Sequence, residues 1–377
     1  MKNVVRCAVA GMLGLAGALL VVGSADASAA HHSSSSAEPV FVQNDNPSDN
    51  AVVVYDREPD GTLDQAGTYP TGGLGGVLGG SVIDHLASQG SLTYDRQHEL
   101  LYAVNAGSDT LTVFAVHGDE LRRLQVIGSG GEFPVSITVH GDVLYVLDAR
   151  GGGSVQGFLR VGTRLVRVPV WHRALGLDAS MTPEFTSTPG QVLFTPRGDE
   201  LIVTTKNNGS RLDVFRVDRA GAPSRHPVVT PDPGRLPFAA TFDAAGRLDV
   251  AEAGTNTVAT FTVGRDGSLT LSGREPTGQQ ATCWITSTGS AVFADNAASA
   301  TVSSFMVGSQ GLSARGTVGT DAGTADAAAT ADGRYLYVQA GAAGIVDEFA
   351  VGADGALTRI GSVTVPDAAG GEGIAAA

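Results

Sequence analysis

TVATFTVGRDGSLTL, residues 257–271, holds an apolar strand ending in an aromatic residue, a Val soon after it, a Gly-containing turn and a second strand that departs. The same grammar recurs with its aromatic at Tyr55, Phe114, Phe158, Phe215, Phe261, Phe305 and Phe349, at steps of 59, 44, 57, 46, 44 and 44 residues. A period near 44 built only of short strands is the pattern of propeller blades. Each blade is a four-stranded sheet that buries both faces only between neighbours. The repeat predicts an all-β chain: a seven-bladed β-propeller of four-stranded blades.

Residues 325–365 show the unit best. Strand A (325–330) turns at Asp332-Gly333 into strand B (335–339), a small-residue loop leads to strand C (345–351), and Asp354-Gly355 turns into strand D (356–365). Asp-Gly between alternating strands is a hairpin signal, because Gly supplies the positive φ such turns demand. The first blade, from Pro39, has strands near 40–43, 51–55 and 62–69 and lacks an innermost strand, whereas GGEGIAAA at 370–377 reads as a strand A with nothing after it. The prediction is ring closure, with the C-terminal strand completing the N-terminal blade and removing an exposed edge.

Outside the repeat, Lys2 and Arg6 precede an apolar run from Cys7 to Gly23, followed by small residues at 24–30. That reads as a secretory signal peptide over 1–30, then a flexible polar linker over 31–39 and the propeller over 40–377. Cys283 would be the only cysteine after cleavage, so no intramolecular disulfide is expected. A formal net charge of −14 argues against nucleic acid and anionic membrane surfaces as partners. The expectation is a soluble, secreted monomer that meets a small-molecule ligand or substrate.

The repeats, the V-x-x-F-x-V-x-x-D-G-x-L unit at 258–269, DGRYLYV at 332–338 and EGIAA at 372–376 resemble the seven-bladed propeller lactonase family, which includes 6-phosphogluconolactonase and the carboxymuconate cyclases. The resemblance covers residues 40–377 and implies hydrolysis of a lactone or related cyclic ester. Members with assigned activity often carry Pro-x-His-x-His entering an inner strand. This chain has Glu132-Phe133-Pro134-Val135-Ser136 there, with no His. A non-catalytic extracellular propeller, binding a small molecule, glycan or protein at the channel mouth, is the competing reading.

Strand direction alternates, so B-to-C and D-to-A loops share one face of the disc. Both long steps in the period are D-to-A insertions, at 70–90 and 171–190, which places a ligand site or lid at that mouth. Counting inner strands by twos gives a polar face of Gln89, Glu132, Gln280 and Thr324, then Ser91, Gln191, Thr282 and Asp326, with Glu372 beside them. That face is expected to line a water-filled channel, while Phe133, Val135, Phe238 and Cys283 pack between blades. For a lactonase, Glu132 is the expected base and Lys206 the cation that stabilises the oxyanion, with Asp326 completing the catalytic set. Ligand contacts are expected from Gln89, Asn105, Gln191, Arg235, Glu252, Gln280, Asn296, Thr324 and Glu372. Glu132, Asp326, Glu372 and Asn296 offer hard oxygens of the kind calcium takes, but without a ligand-spacing motif, so no cofactor is expected. Cys283, on the apolar face, reads as a structural thiol.

Overall fold

The computed structural model describes residues 38–309 and 311–377. The expected leader, residues 1–30, and residues 31–37 of the expected linker lie outside the described residues. Among the described residues, no helix is long and apolar enough to cross a membrane.

Each repeated aromatic falls in the third strand of its blade: Ala51–Arg57, Thr110–His117, Ser154–Val161, Arg211–Arg216, Thr257–Val263, Thr301–Gly308 and Ile345–Val351. All seven rings are 0–3% exposed, which is why the aromatic is the one element every copy spells out. Burying a side chain of this size contributes roughly 1.5–3 kcal/mol. In five blades the pairing with the outermost strand slips one residue immediately before the aromatic, at Tyr55, Phe114, Phe261, Phe305 and Phe349. Such a slip sharpens local twist and turns the outer edge of the blade.

These strands assemble into seven antiparallel four-stranded blades, a β-propeller. The third blade carries an extra short strand, Arg173–Ala174, paired with Ser154 and Val155. The Asp-Gly hairpins behave as their chemistry requires. At Asp332-Gly333 the carboxylate accepts Thr330 Oγ1–H at 2.6 Å and Arg334 N–H at 3.1 Å, and Gly333 takes φ +70°. A Cβ on Gly333 would lie 2.6 Å from Thr288 Oγ1, so the turn also needs Gly to dock on the neighbouring blade.

The ring closes as the two chain ends predict. Ile374–Ala376 pairs antiparallel with Val40–Val42, in register Val40↔Ala376, Phe41↔Ala375 and Val42↔Ile374. Gln43 N–H donates to Gly373 O at 2.8 Å and Ala377 N–H to Pro39 O at 2.9 Å, extending the seam at both ends. The N-terminal blade thus takes its innermost strand from the C-terminus.

Candidate functional site

The Gly-rich 70–90 segment leaves the outer strand of blade 1 (Leu63–Pro70) for the inner strand of blade 2 (Leu92–Asp95). Its last turn does not stop at the mouth. Ser88 Oγ–H donates to Val135 O at 2.9 Å and Ser136 Oγ–H to Gln89 O at 2.7 Å, both on blade 3. Gln89 N–H donates to Gly190 O, leading into blade 4, and Trp284 Nε1–H of blade 6 donates to Ser88 O at 2.5 Å. Glu372, entering the closing strand of blade 1, accepts from Ser88 Oγ at 3.2 Å. Bonds to blades 1, 3, 4 and 6 converge on one short segment only near the axis. Residues 84–90 therefore plug the channel, and Leu78 and Leu86 are fully buried with it. Small residues allow this close passage: a Cβ on Gly75 would sit 2.0 Å from Asp45 O. The expected water-filled channel is corrected to a filled one.

A second correction concerns which side chains face the axis. The innermost strands carry β-bulges that leave Val135, Phe238, Cys283 and Asp326 without a partner in the ladder. One extra residue shifts the period-2 alternation, so a count by twos does not carry across the bulge. Phe238 lies edge-on to Trp284 at 5.0 Å between ring centroids and sits under the Lys206 ammonium at 5.3 Å. Cys283 is close enough to Lys206 and Asp84 to feel both charges, and burial pushes its thiol up to about 12. That direction keeps the thiol protonated near neutral pH.

Lys206 is fully buried beside the plug. Its Nζ reaches Ala87 O and Phe185 O, both at 2.6 Å, and Thr188 Oγ1 at 3.0 Å. Burial depresses its pKa to about 7, with Asp84, Cys283 and Glu184 pulling the other way. Asp84 caps the plug by accepting Leu86 N–H at 2.7 Å and Ser88 N–H at 2.9 Å. Beyond it runs a line of buried carboxyls, Asp45, Glu372, Asp326 and Asp295, each raised first by burial and then by an acidic neighbour. Asp326 is pushed up to about 7 by burial, opposed by hydrogen bonds from the Glu372 carboxyl and the Ala327 and Ile374 N–H groups. Of the expected catalytic set, Lys206 and Asp326 thus belong to the core around the plug. Glu132 is exposed on the rim, where its carbonyl accepts Arg150 N–H at 3.1 Å.

The expected ligand residues are distributed among structural bonds. Asn105 ties its own loop by donating to Thr110 and Thr112, and Asn296 repeats this with Thr301 and Ser303. Glu252 accepts Arg274 Nε at 2.8 and 3.0 Å and Thr257 Oγ1 at 2.5 Å, with Arg235 Nη1 at 3.9 Å. Gln191 Oε1 accepts Ala240 N–H at 2.6 Å, linking blades 4 and 5. Gln89 exchanges two bonds with the Ile285 backbone, Thr324 shares a hydroxyl contact with Thr320, and Gln280 is exposed. Among the described residues no group of three or more His, Cys, Asp or Glu side chains is arranged to hold a metal. Asp326 and Glu372 meet, while Glu132 is exposed on the rim and Asn296 is tied to Thr301 and Ser303.

The accessible feature beside the plug is a crevice with an interior of about 50 Å³, lined by Arg150, Asp178, Glu184, Ser187, Thr188 and Asn208 among others. The 171–190 insertion and the 149–152 loop build it, and the 70–90 insertion braces it through Val77 and Gly79. Glu184 opens a short helix (Glu184–Ser187) and accepts Arg150 Nε at 2.7 Å and Gly79 N–H at 2.6 Å, joining blade 3 and both loops. That ion pair holds the Glu184 carboxyl below its ordinary pKa. Arg150 lies over the Phe133 ring at 4.2 Å, which fixes its plane. Asn208 donates to Asp178 O at 2.8 Å and Ser187 O at 2.9 Å, bracing the crevice wall. Ser187 Oγ is buried and has no hydrogen-bond partner among the described residues. Sequence reasoning located the insertions but not these residues; the signal was Arg150 in a short B-to-C loop, facing the one D-to-A insertion that carries both a Glu and adjacent hydroxyls.

No protein-family model and no curated protein matches the sequence. Solved structures do. A provisionally named 6-phosphogluconolactonase of Bacteroides fragilis superposes with a TM-score of 0.72 at 18% identity, over 92% of this chain and 99% of that one. The periplasmic gluconolactonase of Pseudomonas aeruginosa gives 0.71 at 18% identity, over 90% and 98%. In fold, this chain is a β-propeller similar to these two structures. The virginiamycin B lyase of Staphylococcus aureus shares the architecture more loosely, with a TM-score of 0.54 at 14% identity over 75% and 87%. Proteins named for different reactions share the ring, so the reaction has to be argued from this propeller's own crevice.

Proposed function

We propose that this chain is an exported lactonase-type hydrolase that opens a small, uncharged lactone at the loop-face crevice, without a cofactor. The observation that carries the reading is that Arg150, Ser187 and Thr188 line one crevice formed by the 171–190 insertion and the 149–152 loop. A guanidinium held by Glu184 and Phe133 is a preorganised donor for the oxygen that gains charge when a lactone carbonyl is attacked. The lining sets one guanidinium against the carboxylates of Asp178 and Glu184, which disfavours a phosphorylated substrate. The small interior suits the carbonyl end of a compact ring. The fold neighbours named as lactonases support the same reaction class.

The test is hydrolysis of a panel of phosphorylated and unphosphorylated lactones, followed by proton release, with Arg150→Ala as control. Turnover of uncharged lactones, lowered by roughly 10²-fold in the variant, is expected. Absence of turnover on every lactone, with retained ligand binding at the mouth, would make this a binding propeller instead.

A further inference from the structure

The geometry points to Thr188 as a covalent nucleophile, with Lys206 as the base that takes its proton. This deepens the lactonase reading and rests on it. Thr188 lines the crevice, and its Oγ1 lies 3.0 Å from Lys206 Nζ behind the wall. Nζ has two further partners, the carbonyls of Ala87 and Phe185 at 2.6 Å. Three acceptors satisfy a charged ammonium. A neutral amine fits the same site by donating to the two carbonyls, which only accept, and turning its lone pair on the one partner able to donate, the Thr188 hydroxyl. The local fold fixes this residue's backbone: Thr188 N–H donates to Glu184 O at 3.1 Å, closing the short helix. The groups facing Nζ are Asp84 on the plug, Glu184 on that helix, the Cys283 thiol of blade 6 and the Phe238 ring of blade 5. Burial outweighs the acidic neighbours and brings both amine forms within reach near neutrality.

The chemistry balances without a further reagent. Thr188 Oγ1 attacks the lactone carbonyl carbon while its proton passes to Nζ. The tetrahedral centre collapses, the ring C–O bond breaks, and Nζ–H returns a proton to the leaving alkoxide. The product is a hydroxyacyl ester on Thr188. Water then attacks that ester, giving one proton to Nζ, and Thr188 leaves and is reprotonated, so lactone plus water becomes a hydroxy acid.

Acylation by p-nitrophenyl acetate, read by peptide mass spectrometry, tests the nucleophile independently of lactone turnover. Acetyl on Thr188 is expected, with a labelling rate that rises through about pH 7 as Lys206 loses its proton. Thr188→Val keeps the shape, and thermal melting checks its fold; it should lose the label and roughly 10²-fold or more of any lactone turnover. Thr188→Ser should retain both. Wild-type lactone turnover that persists in Thr188→Val overturns the nucleophile and leaves the lactonase reading standing. A labelled Thr188 in a protein that opens no lactone overturns the lactonase reading and leaves the nucleophile standing. Acetyl found only on other residues overturns the nucleophile outright.

Discussion

Trp284 of blade 6 donates its indole N–H to the carbonyl of Ser88 at 2.5 Å, across 196 residues of sequence, and thereby fastens the channel plug to the ring. The indole is 3% exposed and packs on Phe238, so the bond is formed in surroundings that offer no water in exchange. Replacing Trp284 by Phe keeps most of the apolar contact and leaves the Ser88 carbonyl without its donor. A buried unsatisfied carbonyl costs about 1–3 kcal/mol. The expected outcome is that loss in urea unfolding, with faster amide exchange at Leu86 and Ala87. Unchanged exchange there would mean that the plug is held by its other bonds alone.

The stability of this chain should pass through a minimum near neutral pH where Asp326 and Lys206 set it. Asp326, pushed up to about 7, binds more protons folded than unfolded, and Glu372 and Asp295, raised by burial, act in the same direction. The Asp326 contribution is complete below the ordinary carboxylate range, near pH 4, and is lost as pH rises to about 7. Lys206 has the opposite sense. Its folded pKa of about 7 lies below the ordinary 10.5, so the native state sheds that proton first and gains stability between those values. Urea midpoints at about pH 5, 7 and 9 check the shape. Asp326→Asn should flatten the acid limb, and a monotonic profile would contradict the shifts.

The fold was legible because its determinants are local and repeated. A buried aromatic in every third strand and Asp-Gly turns such as Asp332-Gly333 each satisfy a requirement that no other residue type meets as well. The bulges were not legible, because one extra residue at Val135 or Cys283 carries no distinctive type and yet shifts the alternation of its strand. The plug left a trace that loop composition hid: Leu78, Ile83 and Leu86 in a Gly-rich insertion are apolar groups that a lid in water would expose. Asn105, Glu252 and Asn296 were picked out as polar groups at the right face. A polar side chain at a turn, however, closes its own loop as readily as it binds a ligand, and here the loop takes their hydrogen bonds.

Ring closure makes the last eight residues structural. Deleting 370–377 removes the Ile374–Ala376 strand and exposes Val40, Phe41 and Val42, all fully buried in the intact chain. It also removes Glu372, which Ser88 and Ser91 engage at the plug. Losing a buried strand pairing and its side chains is expected to cost at least ~4 kcal/mol. For a chain of this size that is roughly 5 °C or more in melting temperature. An unchanged melting curve would show that the ring is held without its closing strand.

Glu184 separates holding a loop from holding a catalyst. Its carboxylate joins Arg150 and the Gly79 N–H, and both side chains of the ion pair are about a third exposed. Solvent screens such a pair, so Glu184→Gln should lower stability by no more than ~1 kcal/mol. The neutral amide keeps the volume but loses the forked, charge-assisted grip on the guanidinium. Arg150 would then sample orientations away from the crevice, held only by the Phe133 face and the Val77 carbonyl. Lactone turnover should fall by roughly 10-fold or more with melting nearly unchanged, and raised salt should mimic part of the loss in the parent protein. Turnover that tracks melting instead would assign Glu184 to the loop scaffold and remove orientation of Arg150 from the account of the site.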